Sequence, residues 1–460
     1  MRILFPVHVF FPTHFYGTET YTLELAKNLQ AMGHDAVVLT ATPYGEAGVG
    51  RIHSQYTYDG LTVHCLDLNL MPHRRFKDTY YRPEMHGLLR DVVSDIAPDL
   101  VHVTHLINLT ATLLDVLREM QIPTMATFTD FYGICFNNKL ERYDGALCRG
   151  PDRHSTNCLC CYMKAAQDFP SGSFLRYLPR GNRSRMLIAA FLRHLIRLPG
   201  FGRGALAGQI LDVTERNKTL KYLYGVYAQI VAPSDFLYEA YVANDLYPTR
   251  THKINFGISL DLVKGYQTPR RKKDRRIRFG YIGQIAAHKG VDILIEAYLR
   301  VKGADQSLVI YGPADQDRAY MDRLQNRVGS RPDIEFRKTF PREELPAKLA
   351  DLDMLVIPSR WYENSPLVLL YALATRTPVI VTDVKGMTEF VRDDWNGYTF
   401  PMNDVDRLTE ILQKVIDNPT CIERLSENAN YEKDTADHAK DVLALYERML
   451  VPGSKHQPLE

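Results

Sequence analysis

The stretch from Met354 to Asp383 constrains the fold more than any other part of this chain. An apolar run, Met354-Leu-Val-Ile357, ends at Pro358-Ser359, and the loop that follows carries one acid, Glu363, ahead of Asn364-Ser365-Pro366. Proline suits the first turn of a helix, so a helix is expected from about Pro366, with exposed amides able to face an anion. A second apolar run, Pro378 to Thr382, comes within a few residues. Strand, polar loop, helix and strand in this order are the grammar of an open α/β sheet, whose ligands collect at the carboxyl ends of the strands.

The same alternation of short apolar strands and amphipathic helices runs through the chain and argues parallel sheets with helical crossovers. A first series of strands is expected at Arg2–Val7, Ala36–Thr40, Val101–Val103, Thr124–Phe128 and Ile230–Ala232. A helix from about Thr18 puts Leu25, Ala26, Leu29 and Met32 on one face, and Gly33 stops it as a left-handed cap. A second series follows at Ile277–Ile282, Leu308–Tyr311, Ile334–Phe336, Met354–Ile357 and Pro378–Thr382. The polar, charged run Gln267 to Arg276 between them reads as an interdomain linker, and 460 residues suit two domains of about 200 each. A last helix is expected from about Thr435 to Met449.

A net charge of +2 gives no global pull on nucleic acid, so any basic surface must be local. The apolar N-terminus has one basic residue, an internal Pro6 and no small-residue cleavage site, and is expected to be a buried strand and not a signal peptide. No uncharged apolar run reaches the length of a membrane span. Seven cysteines in so long a chain do not make a secreted disulfide scaffold, and the expected compartment is the cytoplasm.

One region breaks the rhythm. From Phe169 to Leu211 there is no Asp or Glu, while Arg176, Arg180, Arg183, Arg185, Arg193, Arg197 and Arg203 interleave with Phe, Leu and Ile. Helical spacing gathers Leu187, Ala190, Phe191, His194 and Leu198, with Arg193 and Arg197 on a flank. Basic amphipathic helices of this kind lie on anionic membrane surfaces; the other reading is an insertion whose Arg stems cover the protein's own apolar surface. Breaks at Pro179-Arg-Gly181 and Pro199-Gly200 argue two short helices.

Chemistry concentrates in a few places. Lys289, at the end of Gly283-Gln-Ile-Ala-Ala-His-Lys289-Gly290, stands just ahead of an expected helix N-terminus, a favourable place for an anion. Without a metal, a diphosphate leaving group must be stabilised by such cations and by aimed amides. His102 and His105 lie in and after the strand Leu100–Val103, each readable as structural or catalytic. Cys135, Cys148, Cys158, Cys160 and Cys161 form a local cluster that can supply four thiolates to zinc or stand as reduced free thiols.

The Glu363 passage resembles the donor-binding signature of retaining, nucleotide-sugar-dependent glycosyltransferases of family four, which adopt the α/β GT-B fold. The resemblance implies two Rossmann-like domains with parallel sheets facing across a cleft. Residues 1–265 would bind the acceptor and contain the Cys-rich loop 135–161 and the basic insertion 169–211; residues 277–430 would bind the nucleotide sugar; and a helix over 431–450 would pack back on the first domain. Glu363 would then accept hydrogen bonds from donor-sugar hydroxyls, while the amides of Asn364, Ser365 and Leu367 approach the sugar and diphosphate. The signature's second acid, which binds the nucleotide ribose in the family, is here Tyr371, with a single hydroxyl to offer. The Gly283–Gly290 turn is similar to the family's phosphate-binding turn, Lys289 matching its Lys and Gln284 standing at its Arg. Tyr16-Gly17-Thr-Glu19 resembles the family's glycine loop, and Thr129-Asp130 falls where many relatives carry His-Asp near the reacting sugar. Val231 to Phe236 and Asp383 to Glu389 look like further landmarks.

The resemblance thus implies Glu363, Lys289 and Asp130 as catalytic residues. Gly17, Gly283, Gln284, Lys289, Asn364, Ser365, Leu367 and Tyr371 would be donor-binding. A similar cysteine pattern occurs in some relatives, giving Cys135, Cys148, Cys158 and Cys161 as ligands of a structural zinc; catalysis itself would need no metal. The expected function is a hexosyltransferase-type enzyme passing sugar with retention from a nucleotide diphosphate sugar to a glycan or lipid-linked acceptor. It would serve polysaccharide biosynthesis of the cell envelope, in the cytoplasm or peripherally on the inner face of the membrane. The alternative is a degenerate, non-catalytic GT-B scaffold or binding protein, for which Gln284, Thr129 and Tyr371 speak. An epimerase or phosphorylase of the same fold would need different site residues.

Overall fold

The computed structural model describes residues 1–168, 177–196, 204–269, 276–303 and 305–450. Arg176, Arg197, Leu198 and Arg203 of the basic insertion, the break at Pro199-Gly200 and positions 270–275 of the expected linker lie outside them. The chain divides into two compact units, one of residues 1–233, 237–254 and 439 onward, the other of residues 234–236 and 255–438.

Among the described residues, the first unit holds an eight-stranded sheet. Its strands are β1 (Arg2–Pro6), β2 (Asp35–Thr42), β3 (His53–Tyr58), β4 (Leu61–Asp67), β5 (Leu100–Val103), β6 (Thr124–Thr127), β7 (Gln229–Ala232) and β8 (Thr251–Lys253). They lie in the order β3-β4-β2-β1-β5-β6-β7-β8, and every pair except β3–β4 is parallel. Ile3, Leu4 and Phe5 of β1 are fully buried, as a continuous apolar run in a parallel sheet requires. The helix Gly17–Ala31 packs Leu25, Ala26 and Leu29 inward, and Gly33 follows it at φ +87°. His102 in β5 is held at both ring nitrogens, Nδ1 2.6 Å from the Tyr446 hydroxyl and Nε2 2.8 Å from Thr127 Oγ1, which makes it structural. Tyr446 comes from the last helix, Thr435–Leu450, whose residues from Ala439 on belong to this unit.

The second unit holds a six-stranded, all-parallel sheet: β9 (Ile277–Ile282), β10 (Gln306–Tyr311), β11 (Ile334–Arg337), β12 (Met354–Ile357), β13 (Val379–Thr382) and β14 (Gly397–Phe400), ordered β11-β10-β9-β12-β13-β14. Phe279, Leu308, Met354 and Val356 meet the helix Val291–Arg300 in one core.

The strands absent from the sequence reading are β3, β4, β8 and β14. β3 is a partly exposed edge strand of polar composition, so it carries no apolar run. Its turn was nevertheless written in the chain: Asp59-Gly60, both at positive φ, is the dipeptide that two-residue hairpins favour. Truncating the fully buried Phe279 to Ala removes the centre of the second core and should cost that unit about 3–5 kcal/mol, read as an earlier urea transition in the variant.

Candidate functional site

Chain order reverses twice in these sheets, at β1 between β2 and β5, and at β9 between β10 and β12. Loops leaving adjacent strands at such a reversal diverge to opposite faces and leave room for a ligand. The candidate residues gather at these two places.

In the second unit the β9 and β12 loops are brought together by a glycine. Gly290 has φ +70°, and a Cβ there would stand 1.9 Å from the Pro358 carbonyl oxygen, so a side chain would force the loops apart. Arg360, which sequence reasoning passed over, fastens the contact. Its amide donates to His288 O at 2.8 Å, and its guanidinium grips both carboxylate oxygens of Asp292, at 2.6 and 2.7 Å. Bidentate pairs of this kind fix orientation as well as charge. Lys289 is thereby set with Nζ 2.7 Å from Glu363 Oε1 and 4.8 Å from the centre of the Trp361 ring. A second glycine, Gly386 at φ +88°, underlies the Glu363 loop, since a Cβ there would fall 1.6 Å from the Glu363 carbonyl oxygen.

Glu363 is buried, and its two oxygens are treated differently. Oε1 accepts from Lys289, from Ser359 Oγ at 2.5 Å and from Trp361 Nε1 at 2.8 Å. Among the described residues no protein group donates to Oε2. Burial alone would raise this carboxyl; the Lys289 charge and the three hydrogen bonds outweigh it and hold the group below its ordinary range. The arrangement presents one open carboxylate oxygen beside an ammonium with N–H groups to spare, suited to a ligand with both hydroxyl and phosphate groups.

The neighbouring predicted residues have mixed placements. Gly283 is packed by Gly312, whose Cβ would stand 2.2 Å from the Gly283 carbonyl oxygen, and the Gln284 carbonyl accepts from the Tyr281 hydroxyl at 2.6 Å. Asn364 Oδ1 accepts from Ser234 Oγ at 3.0 Å, while its buried Nδ2 has no protein partner. Ser365 is at φ +49°, and Leu367 opens the following helix, Leu367–Ala374. Tyr371 is 2 % exposed, and its hydroxyl accepts from Arg342 Nη2 at 3.0 Å and from the Ser259 amide at 3.1 Å. It ties three segments of its own unit together and turns no free face outward.

In the first unit the structure pairs Asp130 with a residue that sequence left open. His105, two residues past β5, places Nε2 2.8 Å from Asp130 Oδ2, while its Nδ1 accepts from the Ile107 amide at 3.1 Å. That amide fixes the tautomer, so Nε2 carries the hydrogen and donates to the carboxylate. Thr129 spends its hydroxyl on the Thr104 carbonyl, and the imidazole missing at 129 arrives from the neighbouring strand instead. His8, past the end of β1, packs its ring at a tilt against His105 with ring centres 4.3 Å apart and sets Nε2 3.2 Å from Glu19 Oε1. Burial drives His8 well below the usual histidine range, helped by His105 and His14, and pushes Glu19 up. Among the described residues, His8 Nδ1 and Glu19 Oε2 are buried without a protein partner. His8 escaped the sequence reading because it sits inside an apolar run. A Cβ at Gly17 would meet nothing within 4 Å, so packing does not require that glycine.

The zinc expectation finds no support in the structure. Among the described residues no group of three or more His, Cys, Asp or Glu side chains is placed to hold a metal ion. Cys135 donates to Asn137 Oδ1 at 2.7 Å and Cys148 to the Gly150 carbonyl at 3.3 Å. Burial pushes the Cys135 and Cys158 thiols up and Cys161 up to about 12, with the neighbouring cysteines adding to the rise at Cys158 and Cys161.

One pH dependence follows from Glu363. Its folded-state value is depressed, so the unfolded chain binds the proton more tightly. The stability it contributes is complete above the ordinary carboxylate range and is lost as pH falls through the folded value. Glu363→Gln should therefore melt earlier than the parent at neutral pH. Scanning calorimetry from about pH 7 down to about pH 3 should show the difference narrowing with acid.

Comparison with known proteins places this geometry. The family model "Glycosyl transferases group 1" matches residues 266–432, and "Glycosyltransferase Family 4" matches residues 15–156. An alpha-D-kanosaminyltransferase of Streptomyces kanamyceticus is 29% identical over 192 residues, covering 39% of this chain and 48% of that protein. The chain spans about half the length of the curated relatives it matches. A glycosyltransferase from Rickettsia africae superposes with a TM-score of 0.62 at 12% identity, covering 98% of this chain and 99% of the other. Anabaena HepE in complex with UDP-glucose superposes with a TM-score of 0.60 at 14% identity, covering 97% and 100%. The chain thus has the GT-B fold, built from two α/β units, and carries a glycosyltransferase family 4 domain followed by a glycosyl transferases group 1 domain.

Proposed function

We propose that this chain is a retaining glycosyltransferase of family four, hexosyltransferase in type. Its second unit would take a nucleotide diphosphate sugar and its first a glycan or lipid-linked acceptor. The observation that carries the reading is the Lys289–Glu363 pair at the β9/β12 reversal. Glu363 Oε2 is open to accept from a sugar hydroxyl, and Lys289 is free to donate to a phosphate oxygen. The UDP-glucose complex of HepE, which shares the fold, supports a donor of that class. In the reaction the bond from the anomeric carbon to the diphosphate oxygen breaks and a bond to the acceptor oxygen forms on the same face. The acceptor proton passes to the departing phosphate. Lys289 and the backbone amides at Asn364, Ser365 and Leu367 would stabilise the negative charge that grows on the diphosphate. In the His105–Asp130 pair the imidazole N–H is spent on the carboxylate and fixes its direction, and that carboxylate is suited to accepting from a sugar hydroxyl. The work would be done in the cytoplasm, for cell-envelope polysaccharide.

Tyr371 favours the second reading, a non-catalytic GT-B scaffold, because its hydroxyl is engaged inside the protein and offers the ribose no carboxylate. Calorimetry and a donor-release assay separate the two. Under the transferase reading the parent binds nucleoside diphosphate, and Lys289→Gln loses about 1.5–3 kcal/mol of that binding. Glu363→Gln keeps nucleotide affinity but no longer releases diphosphate from a panel of nucleotide sugars with acceptor. A parent that neither binds nor turns over any nucleotide sugar is the scaffold.

A further inference from the structure

The helix Asn182–Leu195 has two apolar faces. One is spent: Ala189 and Leu192 are buried against Leu159, Cys160 and Met163 of the helix Thr156–Asp168 and Ile210 and Val213 of the helix Ala205–Thr214. The other faces water. Arg183, Leu187 and Phe191 follow one another at spacing four, beside Met186, Ala190 and His194 at the same spacing, so these six residues share one broad face. Leu187 is 69% exposed, Phe191 64% and Met186 49%, with Tyr177 just before the helix at 69%. Single exposed apolar side chains need no explanation, but a group of large ones on one helix face marks a contact surface.

The charges within this segment are of one sign. Arg180 and Arg183 are exposed, Arg193 sits at its margin, and no Asp or Glu occurs anywhere from Phe169 to Leu211. Arg185 is not among the available cations. It is buried and donates to Gln167 Oε1 at 2.7 Å, to Asn182 Oδ1 at 2.9 Å and to the Arg180 carbonyl at 3.0 Å, stitching the helix pair together. Among the described residues no helix is long and apolar enough to cross a membrane. A helix with its inner face anchored, its outer face apolar and its flank cationic is complementary to the headgroup and upper acyl layer of a negatively charged bilayer.

We propose that the outward face of this helix, with Leu187 and Phe191 at its centre and Arg183 and Arg180 at its edge, docks the first unit on anionic lipid. The inference stands apart from the transferase reading, because it concerns a surface remote in sequence from Lys289 and Glu363.

The test is co-sedimentation of the full chain with phosphatidylcholine vesicles, with and without about one-quarter phosphatidylglycerol, from about 50 mM to about 500 mM NaCl. The expected result is binding to the anionic vesicles that weakens as salt rises, with little binding to phosphatidylcholine alone. The double variant Leu187→Gln, Phe191→Gln and, separately, Arg183→Gln should each weaken binding, the double variant by about tenfold or more. Both sites are exposed, so the melting temperature should not move. Nucleoside diphosphate affinity should also stay at the parent's value, whatever that value is. Failure of the parent to sediment at low salt, or equal sedimentation by the double variant, overturns the proposal. A salt-independent dimer in sedimentation velocity that the double variant dissolves, with vesicles ignored, would assign the face to a second copy of the chain.

Discussion

A buried carboxylate must find a cation or give up its charge, and in the second unit that requirement organises the site. Glu363 is enclosed at the end of one strand and Lys289 supplies the charge from the end of its neighbour. The two loops could not meet if a side chain stood at Gly290, and the Glu363 loop could not seat on the loop after β13 if one stood at Gly386, since backbone carbonyls occupy the space a Cβ would need. Arg360 and Asp292 then hold the two loops in register from outside the pair. Parallel strand pairing makes the loops neighbours; the two glycines turn neighbours into contacts.

The first unit meets the same topological opportunity differently. Its reversal at β1 brings together two histidines and two acids, His8 with Glu19 and His105 with Asp130, around a tilted ring contact. The second unit separates its charges cleanly into an ammonium and a carboxylate. The first has groups whose charge is held down by burial, so it offers hydrogen bonds in place of a strong field.

The strands of both sheet centres were legible in sequence because buried parallel strands are largely apolar runs, unbroken at Met354–Ile357 and interrupted only by Arg278 and Gly280 at Ile277–Ile282. Edge strands such as His53–Tyr58 carry no such run, and only the Asp59-Gly60 turn announced them. Lys289 and Glu363 were legible because each follows an apolar strand in a loop of recognisable chemistry. Their direct ion pair was not, since nothing in a linear sequence says which strands lie side by side. His105 lacked a visible partner for the same reason: Asp130 belongs to the next strand of the sheet. In the insertion, helical periodicity grouped Leu187, Ala190, Phe191 and His194 correctly on one face. It could not say that this face points to water, because burial is set by the neighbouring helices and not by the helix itself.

The unpaired His8 Nδ1 and Glu19 Oε2 carry one more consequence. Folding has already stripped these atoms of water without giving them a partner, so the dehydration cost is borne before any ligand arrives. A ligand that places a hydroxyl there gains a hydrogen bond without further loss, and one lacking that hydroxyl leaves both atoms stranded. Sites built on stranded polar atoms reject deoxygenated analogues far more severely than apolar pockets reject a missing methylene. A ligand that reaches these two atoms is therefore read by what the protein leaves unsatisfied.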